Sequence, residues 1–155
     1  MPLLRAALSW NFVLATAICA SLLAQLIKVL LNLFIFHRFI AERMWGAGGM
    51  PSSHSATVCA MVVATGRYCG VNSPLFAIAA VLSIIVMYDA MGVRYETGEQ
   101  AKVLNRMFTE WMDQGFEQFQ LPHGKKLMEM VGHTPIEVVT GAALGIVLGF
   151  AMPMV

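Results

Sequence analysis

Long stretches without any Asp, Glu, Lys or Arg constrain this chain more than any other feature of its sequence. A helix needs about 20 apolar residues to cross the hydrocarbon of a bilayer, because each residue rises roughly 1.5 Å. Residues 6–27, 68–88 and 138–155 carry none of these charges, nor does 44–66, whose first half is broken by glycine and proline. The chain is 58% hydrophobic and only 12% charged, which excludes a disordered chain, a coiled coil and an ordinary cytosolic enzyme. The sequence therefore predicts an integral membrane protein.

The uncharged stretches predict an all-α fold, an integral membrane bundle of about four transmembrane helices. The predicted helices cover residues 9–36, 53–70, 74–93 and 135–153. Pro74 and Pro135 suit the first turns of two of them, each behind a hydroxyl residue that can cap the helix. Residues 97–120 mix charged positions with apolar ones at a helical period, which predicts an amphipathic helix at the membrane interface or docked on the bundle. We expect a single domain over residues 1–155.

The basic residues collect on one side of this predicted bundle. Alternating four spans across the membrane places the loop 37–53 and the segment 89–134 on the same side. That side carries seven of the basic residues, Arg38, Arg43, Arg94, Lys102, Arg106, Lys125 and Lys126. By the positive-inside rule it is cytoplasmic. The net charge of the chain is only +1, so we expect no nucleic-acid partner.

Lys28 lies among apolar residues in the second half of the first predicted span. A cation at the centre of a membrane helix costs about 2.5–3.5 kcal/mol, so its side chain should face the bundle or water. A polar stripe at helical spacing supports an inward cavity, and it consists of Ser21, Gln25, Lys28 and Asn32. The alternative is a lysine that snorkels to the end of the span.

A run of flexible and hydroxyl residues precedes the second predicted span. It reads Gly-Gly-Met-Pro-Ser-Ser-His-Ser over residues 48–55. The free N–H groups and the dipole of a helix start favour an anion, and the hydroxyls of Ser52 and Ser53 add donors. Simple helix capping explains one of these serines. It does not explain two serines beside His54 at a membrane boundary.

Two further motifs lie on the same side of the predicted bundle. His133 precedes the last span, and Glu137 follows four residues later, within reach of the imidazole on a helix. A carboxylate bonded to one ring nitrogen leaves the other nitrogen as an acceptor or a nucleophile. Asp89 and Arg94 follow the third span, where a structural ion pair and a catalytic role fit equally well.

Together these motifs resemble the type 2 phosphatidic acid phosphatase and vanadium haloperoxidase superfamily. The resemblance is carried by Lys28, the Pro-Ser-Ser-His run 51–54, and His133 with Glu137. The runs 48–55, 89–94 and 132–138 are similar to a small, divergent bacterial and plastid branch of that superfamily. Overall the resemblance covers residues 25 to about 145 and implies an integral protein of a bacterial inner membrane or a plastid membrane.

The resemblance implies a phosphatase that needs no metal or other cofactor and forms a phosphohistidine. In that mechanism His133 attacks phosphorus and Glu137 orients the imidazole. His54 protonates the leaving oxygen. Transfer of a phosphoryl group depends mainly on positioning and on positive charge around three oxygens, which suits such a site.

The residues that would hold the phosphate match the superfamily less fully. Lys28, Ser52 and the backbone of Ser53 correspond to its phosphate-binding positions, although Ser53 replaces a glycine. The arginines of the superfamily pattern are absent, because their positions hold Ile35 and Leu127. Three basic residues are candidates to replace them, Arg94, Arg38 and Lys126. Arg94 is preferred because it belongs to a motif of the branch, with Asp89 in support.

The membrane setting then selects a lipid phosphate as the substrate, with an anionic head group at the interface and an apolar tail between the helices. Phosphatidylglycerol phosphate, phosphatidate and an isoprenyl diphosphate all fit, with the active face on the cytoplasmic side. A non-catalytic phospholipid- or anion-binding or transport membrane protein is the alternative, since two expected arginines are missing. Vanadate-dependent oxidation is a third alternative for the function. Because four spans are fewer than fuller members of the superfamily have, a homodimer is allowed.

Overall fold

The computed structural model describes residues 11–36, 49–114, 126–129 and 131–154. This part of the chain folds into five α-helices and contains no β-strand. The helices are α1 (Phe12–Phe36), α2 (Ser53–Cys69), α3 (Pro74–Met91), α4 (Val93–Asp113) and α5 (Pro135–Ala151). The predicted all-α fold is therefore confirmed.

The helix starts follow the local signals in the sequence. Ser52 caps α2 by accepting the N–H of Ser55 at 3.3 Å, and Ser73 caps α3 by accepting the N–H of Phe76 at 3.2 Å. α5 begins at Pro135, as expected for a first-turn proline. Helices α2, α3 and α5 therefore begin at the predicted residues, and each ends within two residues of its predicted end.

The amphipathic helix α4 begins four residues earlier than predicted. The N–H of Gly92 donates to the carbonyl of Tyr88 at 2.9 Å and ends α3, and α4 starts at the next residue. The inner face of α4 consists of small or polar residues, Gly98, Ala101 and Asn105. Several of its large apolar residues, among them Leu104 and Met107, remain exposed, which suits a helix at the membrane interface. The predicted end of this helix, residues 115–120, lies outside the described residues.

Helix α2 is the centre of the bundle and packs against α1, α3 and α5. Alanines make its contact with α1, where Ala20 and Ala24 pack on Ala56 and Ala60. Near the other end of α1, Phe12 packs on Ala64. Residues later in α1 thus contact residues earlier in α2, so these two helices are antiparallel.

Helices α2 and α5 run parallel and approach each other through three glycines of α5. A Cβ added to Gly141 would overlap the backbone of Ser52, and one added to Gly145 would overlap the carbonyl of Ala56. Gly149 meets α2 one turn further along. The glycines at these positions therefore allow the two helices to pack closely. Parallel packing also places the N-terminal ends of α2 and α5 side by side.

Arg67 joins the C-terminal ends of α2 and α5 at the far end of the bundle. Its guanidinium donates to three backbone carbonyls at the C-terminal end of α5, at 2.6–3.1 Å. The last four carbonyls of a helix lack partners within the helix, so Arg67 supplies what α5 needs there. This contact lies at the opposite end from the residues of the predicted site.

Large apolar side chains cover the outside of α1, α3 and α5. Leu22, Ile84 and Val147 are examples, each about two-thirds exposed. The runs Phe12–Phe34 and Pro74–Asp113 contain windows long and apolar enough to cross a membrane, and α5 is a shorter apolar helix. An apolar exterior of this extent is typical of contact with lipid. The number of four spans stays a prediction.

Candidate active site

The helix directions bring the predicted site residues to one end of the bundle. α1 and α3 each run antiparallel to α2, since Cys59 meets Ser83 and Met87 while Gly66 meets Phe76. The C-terminal ends of α1 and α3 therefore lie beside the N-terminal ends of α2 and α5. A helix N-terminus carries a partial positive charge and free N–H groups. Two of them together favour an anion at this end.

His133 is oriented by Glu137 and by the main chain of α3. Its side chain is 1% exposed, and its Nδ1 lies 3.0 Å from Oε2 of Glu137. Because a carboxylate only accepts hydrogen bonds, Nδ1 carries the proton. The same carboxylate oxygen accepts the N–H of Thr134 at 3.1 Å. The backbone N–H of His133 donates to the carbonyl of Ala90 at 3.0 Å.

The other ring nitrogen of His133, Nε2, is buried and has no hydrogen-bond partner. With the proton held on Nδ1, a neutral ring presents its lone pair at Nε2. A buried polar atom without a partner is uncommon in folded proteins and needs an explanation. A reacting group that Nε2 would contact is one such explanation.

His54 faces His133 across the site. The two ring centroids are 5.9 Å apart, with the rings inclined at 65°. Nδ1 of His54 is also buried without a partner. His54 interacts electrostatically with Lys28 of α1 and with Asp89 and Arg94 of the α3–α4 junction. His54 therefore lies among the residues that the sequence singled out on three other elements.

Lys28 is buried with its charge directed into the bundle. The side chain is 2% exposed, and Nζ has no hydrogen-bond partner. Its aliphatic stem packs against Gly49, and its charge interacts with that of Glu137. The structure therefore favours the inward orientation over a snorkelling lysine. Gln25, one turn earlier on the same face, also has a buried unpartnered atom, Oε1.

The two serines at the start of α2 differ in their roles. Ser52 is fully buried, and its hydroxyl accepts the N–H and the hydroxyl of Ser55 as a helix cap. Its N–H donates to the carbonyl of Glu137 at 2.9 Å, which ties α2 to the first turn of α5. Ser53 is not needed for capping, and its hydroxyl lies 3.5 Å from Nε2 of Gln25.

Asp89 and Arg94 form the ion pair that the sequence offered as one of two alternatives. Nε of Arg94 lies 2.6 Å from Oδ2 of Asp89, and the side chains are 43% and 36% exposed. The pair spans the break at Gly92 between α3 and α4. Arg94 is thus near His54 but is held by a carboxylate.

Arg38 and Lys126 are the two remaining basic residues that were predicted to hold the phosphate. Arg38 lies outside the described residues. Lys126 is exposed, in the segment that follows residues 115–125, which are also not described. Neither position therefore adds to the geometry of the site.

Sequence reasoning missed two residues that contribute to the packing of the chain just before His133 on α4. The side chain of Asn105, 5% exposed, binds the chain at Leu127 and Glu129. Gly132 lies so close to the backbone of Tyr95 that a Cβ would overlap it. An asparagine on the inner face of an amphipathic helix and a glycine just before a functional histidine were the available signals.

No group of three or more His, Cys, Asp and Glu side chains that could hold a metal ion occurs among the described residues. Among the described residues, Asp89 interacts with His54 and Glu137 bonds His133. These two carboxylates are each engaged, with Arg94 and with His133. The donor set thus fits two imidazoles acting on an anion better than it fits a metal site.

Comparison with known proteins places these residues in a family context. A family model described as "Divergent PAP2 family" matches residues 9–148. The chain is 38% identical over 144 residues to an uncharacterized membrane protein of Bacillus subtilis (strain 168), YuiD, and the match covers 89% of this chain and 91% of that protein. No solved structure matches the chain. The relative and the apolar helices together support a membrane location.

Proposed function

The chain belongs to the divergent PAP2 family, and from this membership and the site geometry we propose that it hydrolyses a lipid phosphate through a phosphohistidine intermediate. One observation carries the proposal. The buried Nε2 of His133 is unpartnered while Glu137 holds its Nδ1–H, and a second imidazole lies 5.9 Å away between ring centroids. Reacting atoms must approach within about 3–3.5 Å, so two rings at this separation can contact one phosphoryl group.

In the first step Nε2 of His133 attacks phosphorus, and the bond from phosphorus to the leaving oxygen breaks. The protonated imidazole of His54 gives its proton to that oxygen, so the lipid leaves as an alcohol from a phosphomonoester, or as a monophosphate from a diphosphate. The positive charge that develops on His133 is stabilised by the carboxylate of Glu137. In the second step water attacks the phosphohistidine, and His54 takes the proton of the water. Inorganic phosphate is released and both histidines return to their starting state.

The charge arrangement suits the phosphate that this chemistry requires. A transferring phosphoryl group spreads negative charge over three oxygens. Lys28 would supply the positive charge, and the N-termini of α2 and α5 would supply N–H groups and their dipoles. The lysine is buried and without a hydrogen-bond partner, so an anion would give it the interaction that the described residues do not.

The membrane location supports a lipid as the carrier of that phosphate. The site lies at the end of helices whose outer surfaces are apolar, so a head group at this end leaves its tail beside them. We include phosphatidylglycerol phosphate, phosphatidate and isoprenyl diphosphates in the proposed class. The basic residues on this side favour a cytoplasmic active face, in a bacterial inner membrane.

Phosphate release from purified protein in detergent, with a chelator present, tests the proposal. We expect turnover of at least one lipid phosphate and loss of about 10⁴-fold or more in His133→Ala. Brief reaction with ³²P-labelled substrate should leave an acid-labile, base-stable label on the wild-type protein and none on His133→Ala. Lys102→Met, which removes an exposed charge on α4, is the matched control and should behave as wild type. Binding of lipid phosphates without turnover would instead identify a non-catalytic binder.

A further inference from the structure

The described residues just before His133, 126–129 and 131–132, have no helix or strand and contact α4. Asn105 of α4 binds both backbone groups of Leu127. Its Nδ2 donates to the carbonyl of Leu127 at 3.0 Å, and the N–H of Leu127 donates to its Oδ1 at 2.9 Å. Nδ2 also donates to Oε1 of Glu129 at 2.8 Å. An asparagine amide has two N–H donors and a carbonyl oxygen with two lone pairs, so these three bonds use both donors and one acceptor site.

Two glycines allow the same segment to lie directly on α4. A Cβ on Gly98 of α4 would meet the carbonyl of Glu129, and a Cβ on Gly132 would overlap the backbone of Tyr95. Backbone therefore contacts backbone at both points. The segment cannot shift toward α4, and the bonds to Asn105 prevent it from moving away.

The segment ends at His133, where the backbone N–H donates to the carbonyl of Ala90 at 3.0 Å. Glu137 fixes the tautomer of the ring, but it cannot by itself fix where the main chain of His133 lies. That position depends on the anchors at Leu127, Gly132 and Ala90. Helix α4 thus supports the chain segment that leads into His133.

We propose that Asn105 is a positioning residue for the nucleophile, acting through the main chain from Leu127 to His133. The inference rests on the proposed function, because it assigns the nucleophile to His133. Without Asn105 the partly buried N–H and carbonyl of Leu127 lose their partners, and we expect the segment to move to find others. Lys28 and Ser52 lie on other elements and stay in place. Loss of Asn105 should therefore slow the chemical step and spare substrate binding.

The test compares kcat and KM in variants of Asn105 with the full chain in detergent. We expect Asn105→Ala to lower kcat about tenfold to 100-fold, as displacement of a reacting group by about 1 Å can do, with KM within twofold of wild type. Asn105→Asp keeps the acceptor for Leu127 but places a carboxylate beside Glu129. Adding Glu129→Gln restores a donor opposite that carboxylate, and we expect the double variant to recover part of kcat.

Thr109→Ala is the matched control, because its hydroxyl bonds only within α4, to the carbonyl of Asn105 at 2.9 Å. It should leave kcat, KM and thermal stability unchanged. Hydrogen exchange without substrate adds a readout that does not need activity. The amides of Leu127 and His133 should exchange faster in Asn105→Ala, or in Asn105→Asp if the alanine variant does not fold, and at the wild-type rate in Thr109→Ala.

The outcomes separate this inference from the proposed function. A wild-type protein without turnover would refute the phosphatase, while exchange at His133 would still show whether Asn105 holds that residue. Unchanged exchange at His133, or equal losses of kcat in Asn105→Ala and Thr109→Ala, would overturn the positioning role. A rise in KM with kcat unchanged would also overturn it, since Asn105 would then act on binding.

Discussion

Replacement of Lys28 by methionine should stabilise the protein and disable the site at the same time. A lysine at the centre of a membrane helix costs about 2.5–3.5 kcal/mol, and the attraction between Lys28 and Glu137 offsets part of that cost. Methionine keeps the stem that packs against Gly49 and removes the charge. We therefore expect Lys28→Met to raise the free energy of unfolding by about 1–2 kcal/mol. The same change should lower kcat/KM by about 10²- to 10³-fold, the usual cost of losing one group that stabilises transition-state charge.

Thermal unfolding in detergent and phosphate release on the same samples measure both effects. Lys102→Met is the matched control, since Lys102 is 51% exposed and its ion pair is with Glu99, one turn away on the same helix. It should change unfolding by no more than about 0.5 kcal/mol and leave turnover intact. A Lys28→Met variant that is less stable than wild type would show that the lysine holds the bundle together. That result would refute its assignment to an anion.

Three further variants test other parts of the structure. Glu137→Gln should lower kcat by about 10²- to 10⁴-fold with KM little changed, because a neutral amide cannot stabilise a positive imidazole; an unchanged kcat in steady-state assays would contradict this. Gly141→Ala should lower the free energy of unfolding by about 1–3 kcal/mol, because its methyl group overlaps the backbone of Ser52, and a thermal melt equal to wild type would be inconsistent with the close packing. Arg67→Met should cost about 1–3 kcal/mol of stability yet leave kcat unchanged, since its three carbonyl partners lie at the far end of α5; a matching loss of turnover would show that the two ends are coupled.

The helix boundaries were predictable because they depend on local chemistry. Ser52 and Ser73 cap their own helices, and Pro74 and Pro135 fall in the first turns. Such interactions span three or four residues and can be recognised in the sequence alone. The start of α4 at Val93 was missed, because Gly92 ends one helix and begins the next without an intervening loop.

The convergence of Lys28, His54 and His133 was predictable for a different reason. Each residue occupies a known end of a predicted span, and antiparallel neighbours place alternate ends together. The spacing of His133 and Glu137 on a helix also predicted their contact, which the structure shows at 3.0 Å. Their catalytic roles remain predictions.

The parts that could not be predicted depend on contacts between distant residues. The angle between α3 and α4 decides whether Arg94 binds Asp89 or stays free. No sequence pattern in that stretch predicts this angle. Asn105 binds a chain segment 22 residues away, so no local pattern identifies its partner. Side chains that act across an interface carry no periodic signal of their own.

The glycine contacts between α2 and α5 also control the register in which the two histidines meet. Because Gly141, Gly145 and Gly149 recur every four residues, the next fitting alignment of these helices is four residues away, a slide of about 6 Å. That slide is about as large as the 5.9 Å between the imidazole centroids. Only discrete alignments of the two helices therefore fit the glycine contacts. A slide by one repeat would separate the two rings.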